Sequence, residues 1–478
     1  MITKQNFYFP LLVLIVTTLS LLNIGQYNLQ EWDESRNGVN AFEMLHNGDY
    51  INYFYNKELD TWNAKPPLMI WLIVICYKIF GFNEFALRFT TSISTIIFFA
   101  FCFKLIELFY SSNKAFFCCM ILLSCKAIFG NHIALTGDFD MLLTLFLIAS
   151  VYYFILFIEH GKEYAVYFVA LFTGLAFYTK GTASLVFIPG FVIYIMIYGK
   201  TLQMIKDRNA WLSILLFILI AGSWVLLVFA FGKSSAHSFY NSHNSIATMI
   251  MDDTLNRLTN KNFDIHNTHD NFYFFKVLDA RFNLWNYVFY LSILIVIFQI
   301  INNRKNLKTQ IELASNKILV LSFCLILPLS IILNFAANQH DWYMAPLFIF
   351  IAIIIFHGIY FISVKLKIMS YVFIVIFAFT FLRQVNYLLH LPNDMHYALS
   401  GNKKLQDQKI IVAADLKQNI FLYLKWLNTK VVQQGERENL VKYKNEILLI
   451  DKNKIDNAFR IHIENQIFFN EYCLGKIK

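Results

Sequence analysis

Apolar segments of roughly 20 residues, the length needed to cross the hydrocarbon core of a bilayer, recur along this chain with short basic gaps between them. They occupy residues 9–24, 86–109, 115–133, 141–158, 164–178, 183–198, 211–231, 284–301, 318–336, 344–362 and 368–381. That is about eleven spans. No small-residue cleavage site follows the first, so it reads as a transmembrane helix and not as a secretory signal. The chain is therefore expected to be an all-α polytopic membrane protein.

Composition agrees: 58% of the 478 residues are hydrophobic, 15% are charged and 50 are Phe, more apolar surface than a water-soluble domain hides. A net charge of +9 would suggest nucleic acid in a soluble protein. Here the basic residues sit in the gaps between apolar runs, which is a topology signal and not a phosphate-backbone footprint, so no nucleic acid is expected. Cys76, Cys102, Cys118, Cys119, Cys125 and Cys324 lie in apolar stretches and only Cys473 in a polar one, which gives no disulfide framework.

Residues 66–80 are apolar but short, carry Lys78, and are bounded by Pro66-Pro67 and Gly81. If they lie along the interface, Lys114, Lys162, Lys200, Lys206, Arg208, Arg304, Lys305, Lys308, Lys317, Lys365 and Lys367 all fall on one side, the cytoplasmic one. A crossing would put every one of them outside. An interfacial helix is therefore expected, with residues 1–395 as the transmembrane domain and outer-face loops at 28–85 and 232–283. Residues 396–478 are expected to form a small soluble C-terminal α/β domain. Its strands read at 409–413, 431–433 and 446–450, with an amphipathic helix at 416–427.

This topology places Glu31-Trp32-Asp33-Glu34-Ser35-Arg36, Lys65, Arg88, Asp138, Asp140, Lys180 and His340-Asp341-Trp342-Tyr343 at one boundary. Ionisable groups at membrane depth cost about 2.5–3.5 kcal/mol each, so their convergence needs a reason, and an anionic lipid headgroup supplies one. A carboxylate there suits a general base, and Lys or Arg suits a phosphate. Asp138 and Asp140 have metal-ligand spacing, so a divalent cation is possible, but an Asp-x-Asp alone assigns no metal site and Asp138 reads equally as a helix-start residue. His266 and His269, beside Asp264 and Asp270, read as solvated loop residues before zinc ligands. Arg257, His269 and Tyr273 are expected to help cover the site.

Taken in order, Trp32-Asp33-Glu34-Ser35-Arg36, Lys65-Pro66-Pro67-Leu68, Gly81 with Phe85-Ala86-Leu87-Arg88, Gly137-Asp138-Phe139-Asp140-Met141-Leu142-Leu143, Gly174-Leu175-Ala176 with Thr179-Lys180-Gly181, and Trp342-Tyr343 with Pro346 carry a likeness. The chain resembles the protein O-mannosyltransferase and lipid A aminoarabinose transferase families of the C-type glycosyltransferase superfamily. The resemblance implies an inverting enzyme of the bacterial inner membrane that takes a sugar from a polyprenyl-phosphate donor outside the cytoplasm. Lipid A, another glycolipid or a protein would be its acceptor. It implies Asp33 as catalytic carboxylate with Glu34 beside it and Asp140 shaping the site, and Lys65 with Arg88 or Lys180 near the donor phosphate. Asp138, His269 and Tyr343 complete the expected substrate-binding set. The chain departs from the family pattern at Ala64 and at Asn338-Gln339.

A transporter or flippase of a lipid-linked or small polar substrate is the competing class. Transporters place polar residues near the bilayer midplane in repeated halves, whereas here they gather at one boundary and no repeat is visible. A non-catalytic assembly subunit is the third reading, opposed by intact Asp33, Lys65 and Asp140.

Overall fold

The computed structural model describes residues 4–60, 62–233, 259, 269–433, 443–455 and 462–478. Each of the expected spans coincides with a helix, but their lengths differ from expectation. Among the described residues seven helices are long and apolar enough to cross a membrane, or up to eight if one bent pair counts as a span. The shortfall from eleven has identifiable sources. The helix α1 (Lys4–Leu21) has 18 residues, whereas α5 (Ser112–Leu123) has 12, about 18 Å at 1.5 Å per residue against about 30 Å of hydrocarbon. Beyond Leu123 the chain runs on as turns to Asp138. The runs at 164–178 and 183–198 are α7 (Ala165–Lys180) and α8 (Ile188–Ile197), bent by 69°.

Side-chain contacts fix which helix ends lie together. Glu159, closing α6 (Phe139–Ile158), accepts from Lys200 after α8 at 2.9 Å and from Lys317 at the start of Ala314–Phe335 at 2.5 Å. Lys200 also donates to Ile158 O at 2.6 Å. The chain therefore returns after α8 to the end where α7 began. Tyr110, after α4 (Glu84–Glu107), donates to Ser315 O at 3.2 Å, and Lys114 lies 4.1 Å from the Tyr360 ring. The basic turns thus share one end of the bundle, opposite the cluster described below.

Two short helices cover that other end. The helix α2 (Asp33–Asn47) buries Glu34, Asn37, Val39, Asn40 and Met44 and stops at Gly48, whose φ of 68° suits the left-handed conformation that glycine adopts without a Cβ penalty. The helix α3 (Leu68–Phe80) begins at the cavity lined by Lys65 and Pro66, and near its end Tyr77 packs against Trp426 of the C-terminal segment. Both of its ends therefore lie on the same side of the bundle.

The C-terminal segment is a five-stranded mixed sheet in the order Lys430–Gln433, Lys409–Ala413, Ile447–Asp451, Tyr472–Ile477, Ile463–Phe469, parallel across the first three strands and antiparallel across the rest. The last two strands were not legible in sequence. A register irregularity between Glu464 and Ile467 breaks the alternation of one, and Gly475 interrupts the other. Its helix Gln418–Trp426 docks on α2, where a Cβ on Gly38 would meet Leu422 at 2.4 Å. Lys425 donates to Glu43 at 2.6 Å, and Tyr423 OH accepts from Leu29 N. The sheet is thereby seated beside the segment that carries Asp33.

Candidate active site

Glu34 is the knot of the site's framework. Its Oε1 accepts from Arg88 Nε at 2.6 Å and from Gly137 N at 3.0 Å, and its Oε2 accepts from Arg88 Nη2 at 2.9 Å and Gln30 N at 2.7 Å. The remaining guanidinium protons go to the carbonyls of Ile24, Tyr27 and Asn28. Both side chains are fully buried. Arg88, expected near the donor phosphate, spends its donors inside the protein, and Glu34 holds loops together; neither lines the cavity that Lys65 and Lys180 share. Gly137 is needed for the fit, since a Cβ there would lie 2.9 Å from Leu87 Cγ.

A second network presents Lys65. Arg36 forks onto Asp60 at 2.6 and 2.8 Å, Asn40 donates to Asp60 at 2.9 Å, and Asn63 donates to Asn40 at 2.9 Å. Burial pushes the Asp60 carboxyl up, but Arg36 and Asn40 outweigh that and hold it below the usual range. Lys65 Nζ donates to Asn63 Oδ1 at 3.5 Å and stands 5.1 Å from the Phe139 ring.

Lys65 faces a cavity of about 330 Å³ that Asp140, Lys180 and Tyr343 share. Leu143, Val186, Leu329, Leu333 and Pro346 continue it as an apolar groove. Lys180 Nζ donates to both Asp140 oxygens, at 2.6 and 2.7 Å, and lies 5.0 Å from the Tyr343 ring. Four of the sequence-chosen residues thus line one cavity. His269 lines no wall of it; it contacts Ala336 O at 3.0 Å, and Ala336 does line the cavity. Tyr273 OH donates to His340 O at 2.5 Å. Arg257, Asp264 and His266 lie outside the described residues.

Asp33 and Asp138 sit beside this cavity and not among its lining residues. Asp33 is partly exposed, with a carboxylate oxygen 3.7 Å from His132 Nδ1. Asp138 is buried, 3.2 Å from the same nitrogen, and accepts from Thr136 at 2.7 Å and Asn37 at 3.1 Å. It holds the N-cap position of α6 without making a side-chain cap bond. Burial would lower the His132 imidazole. The adjacent Asp138 carboxylate, with the charges of Asp33 and Asp140, outweighs this and raises it to about 9. Trp342 is sandwiched between His132 at 3.9 Å and His340 at 4.4 Å, which fixes the imidazole plane.

His132 was missed in the sequence because it closes an apolar run; the polar pair Asn131-His132 after Gly130 was the available signal. Asp33, His132 and Asp138 offer ligand atoms within 4.8 Å of one another. This O, N, O set suits a divalent cation of the zinc or manganese kind better than calcium. A proton on His132 competes with any such ion for the same nitrogen.

The sequence and the fold have counterparts among known proteins. Residues 64–227 match the family model of dolichyl-phosphate-mannose-protein mannosyltransferases. An undecaprenyl phosphate-alpha-4-amino-4-deoxy-L-arabinose arabinosyl transferase of Aeromonas hydrophila is 28% identical over 233 residues, 46% of this chain and 40% of that protein. A second protein of that description, from Pseudomonas fluorescens, is 28% identical over 183 residues, 37% of this chain and 33% of the relative. The alignment therefore covers less than half the length of these curated relatives.

Among solved structures, ArnT from Cupriavidus metallidurans bound to undecaprenyl phosphate superposes with a TM-score of 0.67 at 12% identity, over 98% of this chain and 97% of that one. The archaeal oligosaccharyltransferase AglB from Archaeoglobus fulgidus gives 0.53 at 11% identity, over 93% and 69%. The chain resembles C-type glycosyltransferases and has their fold, a multi-pass helical membrane body with a small C-terminal sheet domain.

Proposed function

We propose that the chain is an inverting glycosyltransferase that moves a sugar from a polyprenyl-phosphate donor to an acceptor at the outer face of a bacterial inner membrane. One observation carries the reading: two lysines, Lys65 and Lys180, stand at the polar mouth of an otherwise apolar 330 Å³ groove. A phosphate on a long isoprenoid tail has that same polarity, charged at one end and apolar along the rest. In this reading the tail lies along Leu143, Val186, Leu329 and Leu333, and the lysines hold the phosphate as negative charge develops on it.

Asp33, half in solvent next to the groove, accepts the proton of an acceptor hydroxyl or amine as its oxygen or nitrogen bonds to the anomeric carbon and the bond to the phosphate oxygen breaks. The leaving polyprenyl phosphate needs positive charge and not a proton donor, so a single base suffices. Asp140 holds Lys180 in place, and His132 orients Asp33 and Asp138. The basic ends of the bundle, at Lys114, Lys200, Lys317 and Lys365, lie opposite the groove, which supports a cytoplasmic position for them and a periplasmic one for the site. Transporters bind near mid-bundle depth; here the ionisable cluster gathers at one end, and the deeper His357–Gln299 pair lies outside the groove.

The test uses purified full-length protein in liposomes. Undecaprenyl phosphate should bind, and undecaprenyl-phosphate sugars drawn from a panel that includes mannose and 4-aminoarabinose should release undecaprenyl phosphate when an envelope lipid and protein extract is added. Absence of binding together with absence of turnover across the panel would remove the proposal. Mass spectrometry of envelopes from cells with and without the gene identifies the sugar and acceptor class.

A further inference from the structure

A second cavity, of about 450 Å³, lies between the helical body and the C-terminal sheet domain. It differs from the donor groove in chemistry. Its polar wall is built from the carboxamides of Asn28, Gln30, Asn131, Asn419 and Asn470 and the carboxylates of Glu31 and Asp394. No lysine or arginine lines it among the described residues. Lys417 reaches Glu31 at 3.5 Å from outside the wall, and Asp394 is engaged by Asn28 at 2.5 Å and Asn470 N at 2.8 Å.

The cavity is tied to the chemistry by sequence neighbours. Gln30 and Glu31 line it, and Asp33 follows two residues later; Asn131 lines it, and His132 follows directly. The two segments that meet in the Asp33–His132 contact therefore also form its wall, joined there by Asn131 Nδ2 donating to Gln30 Oε1 at 3.3 Å. Among the described residues the Gln30 amide N–H groups, the Asn131 amide oxygen and the Asn470 carboxamide have no hydrogen-bond partner in the protein. Donors and acceptors of the cavity wall are thus left open to a ligand.

We infer that this cavity is the acceptor subsite and that it takes a neutral, polyhydroxylated sugar headgroup in preference to a phosphate. This deepens the glycosyltransferase reading and rests on it. Carboxamides pair with hydroxyls as donor and acceptor at once. A phosphate monoester would instead face Glu31 and Asp394 without a cation in the wall, and burying unpaired like charge is costly. The assigned base points the same way. A sugar hydroxyl must lose a proton as its oxygen bonds to the anomeric carbon, and Asp33 takes it, whereas an ionised phosphate oxygen needs no base.

Full-length protein in liposomes is photolabelled with diazirine-bearing dodecyl glucoside, methyl glucoside and dodecyl phosphate, and the adducts are mapped by peptide mass spectrometry. Glucoside adducts should fall on residues 28–31, 131 and 391–395. They should drop by about tenfold or more in Asn131→Trp, at an exposed position, and in Gln30→Trp, at a half-buried one, each of which fills the cavity, while undecaprenyl phosphate binding stays unchanged. Labelling by dodecyl glucoside alone assigns a lipid-borne sugar, and labelling by both glucosides a sugar recognised without its tail; either supports the inference. Dodecyl phosphate adducts in the cavity, or glucoside labelling that both variants leave intact, would overturn it. Failure of the glycosyltransferase reading shows separately, as loss of undecaprenyl phosphate binding in the unmodified protein.

Discussion

Arg88 Nε donates to Glu34 Oε1 at 2.6 Å and Nη2 donates to Oε2 at 2.9 Å, with neither side chain exposed. The pair joins α4 to the start of α2, and Glu34 extends the link to Gly137. Removing one partner strands the other as a buried charge, which costs about 3–5 kcal/mol. Arg88→Met should therefore lower the unfolding temperature of the purified protein sharply. Arg88→Lys should recover only part of it, because an ammonium cannot repeat the fork. A wild-type melting curve for Arg88→Met would dismiss the framework role and reopen substrate contact.

Lys180 and Asp140 make opposite predictions from one contact. Lys180→Gln removes a charge-assisted bond of about 1.5–3 kcal/mol, so undecaprenyl phosphate should bind roughly 10- to 100-fold more weakly. Asp140→Asn removes the carboxylate that engages Lys180 at 2.6 and 2.7 Å, so phosphate affinity should hold or rise while turnover falls. Titration of both variants with undecaprenyl phosphate decides; equal weakening in the two would contradict the assigned roles.

Asp33 stands outside the groove wall and should affect transfer without affecting donor binding. Asp33→Asn should slow turnover by about 10²–10⁴-fold, the usual worth of a general base, at near-constant undecaprenyl phosphate affinity. Single-turnover rates beside binding curves measure the split, and unimpaired transfer would end the assignment of Asp33 as base.

His132 supplies a pH signature. Its imidazole is raised from the ordinary 6.5 to about 9 by Asp138, Asp33 and Asp140, so folding favours the protonated form. Its contribution to stability is complete below about 6.5 and is lost as pH rises through about 9. The ring resonance in an NMR titration should move with a midpoint near 9, and Asp138→Asn should bring the midpoint down toward the ordinary value. A midpoint near 6.5 in the wild type would show that the charged cluster does not form.

Much of the site was legible because membrane insertion is a local rule. Each apolar run must span or lie in the bilayer, and basic gaps sort to one side. That rule alone sent Lys65, Asp140, Lys180 and Tyr343 to one end, where they line one groove. The same rule overran α5, because hydropathy measures how long a segment stays apolar and not how long it stays helical. The chain leaves α5 at Leu123 and continues in turns that bring His132 to Asp33.

Sequence by itself determined the membrane class, the end at which charge gathers and most of the groove's residues, since these depend on composition and order along the chain. Only tertiary structure decided that Arg88 is spent on Glu34, that His132 stands between Asp33 and Asp138, and that the C-terminal sheet closes a second cavity against Asn28 and Gln30. The Arg88–Glu34, His132–Asp33 and Asp394–Asn28 contacts join residues 54 or more positions apart. Hydrogen-bond geometry between distant segments is set by packing, and no local periodicity encodes it.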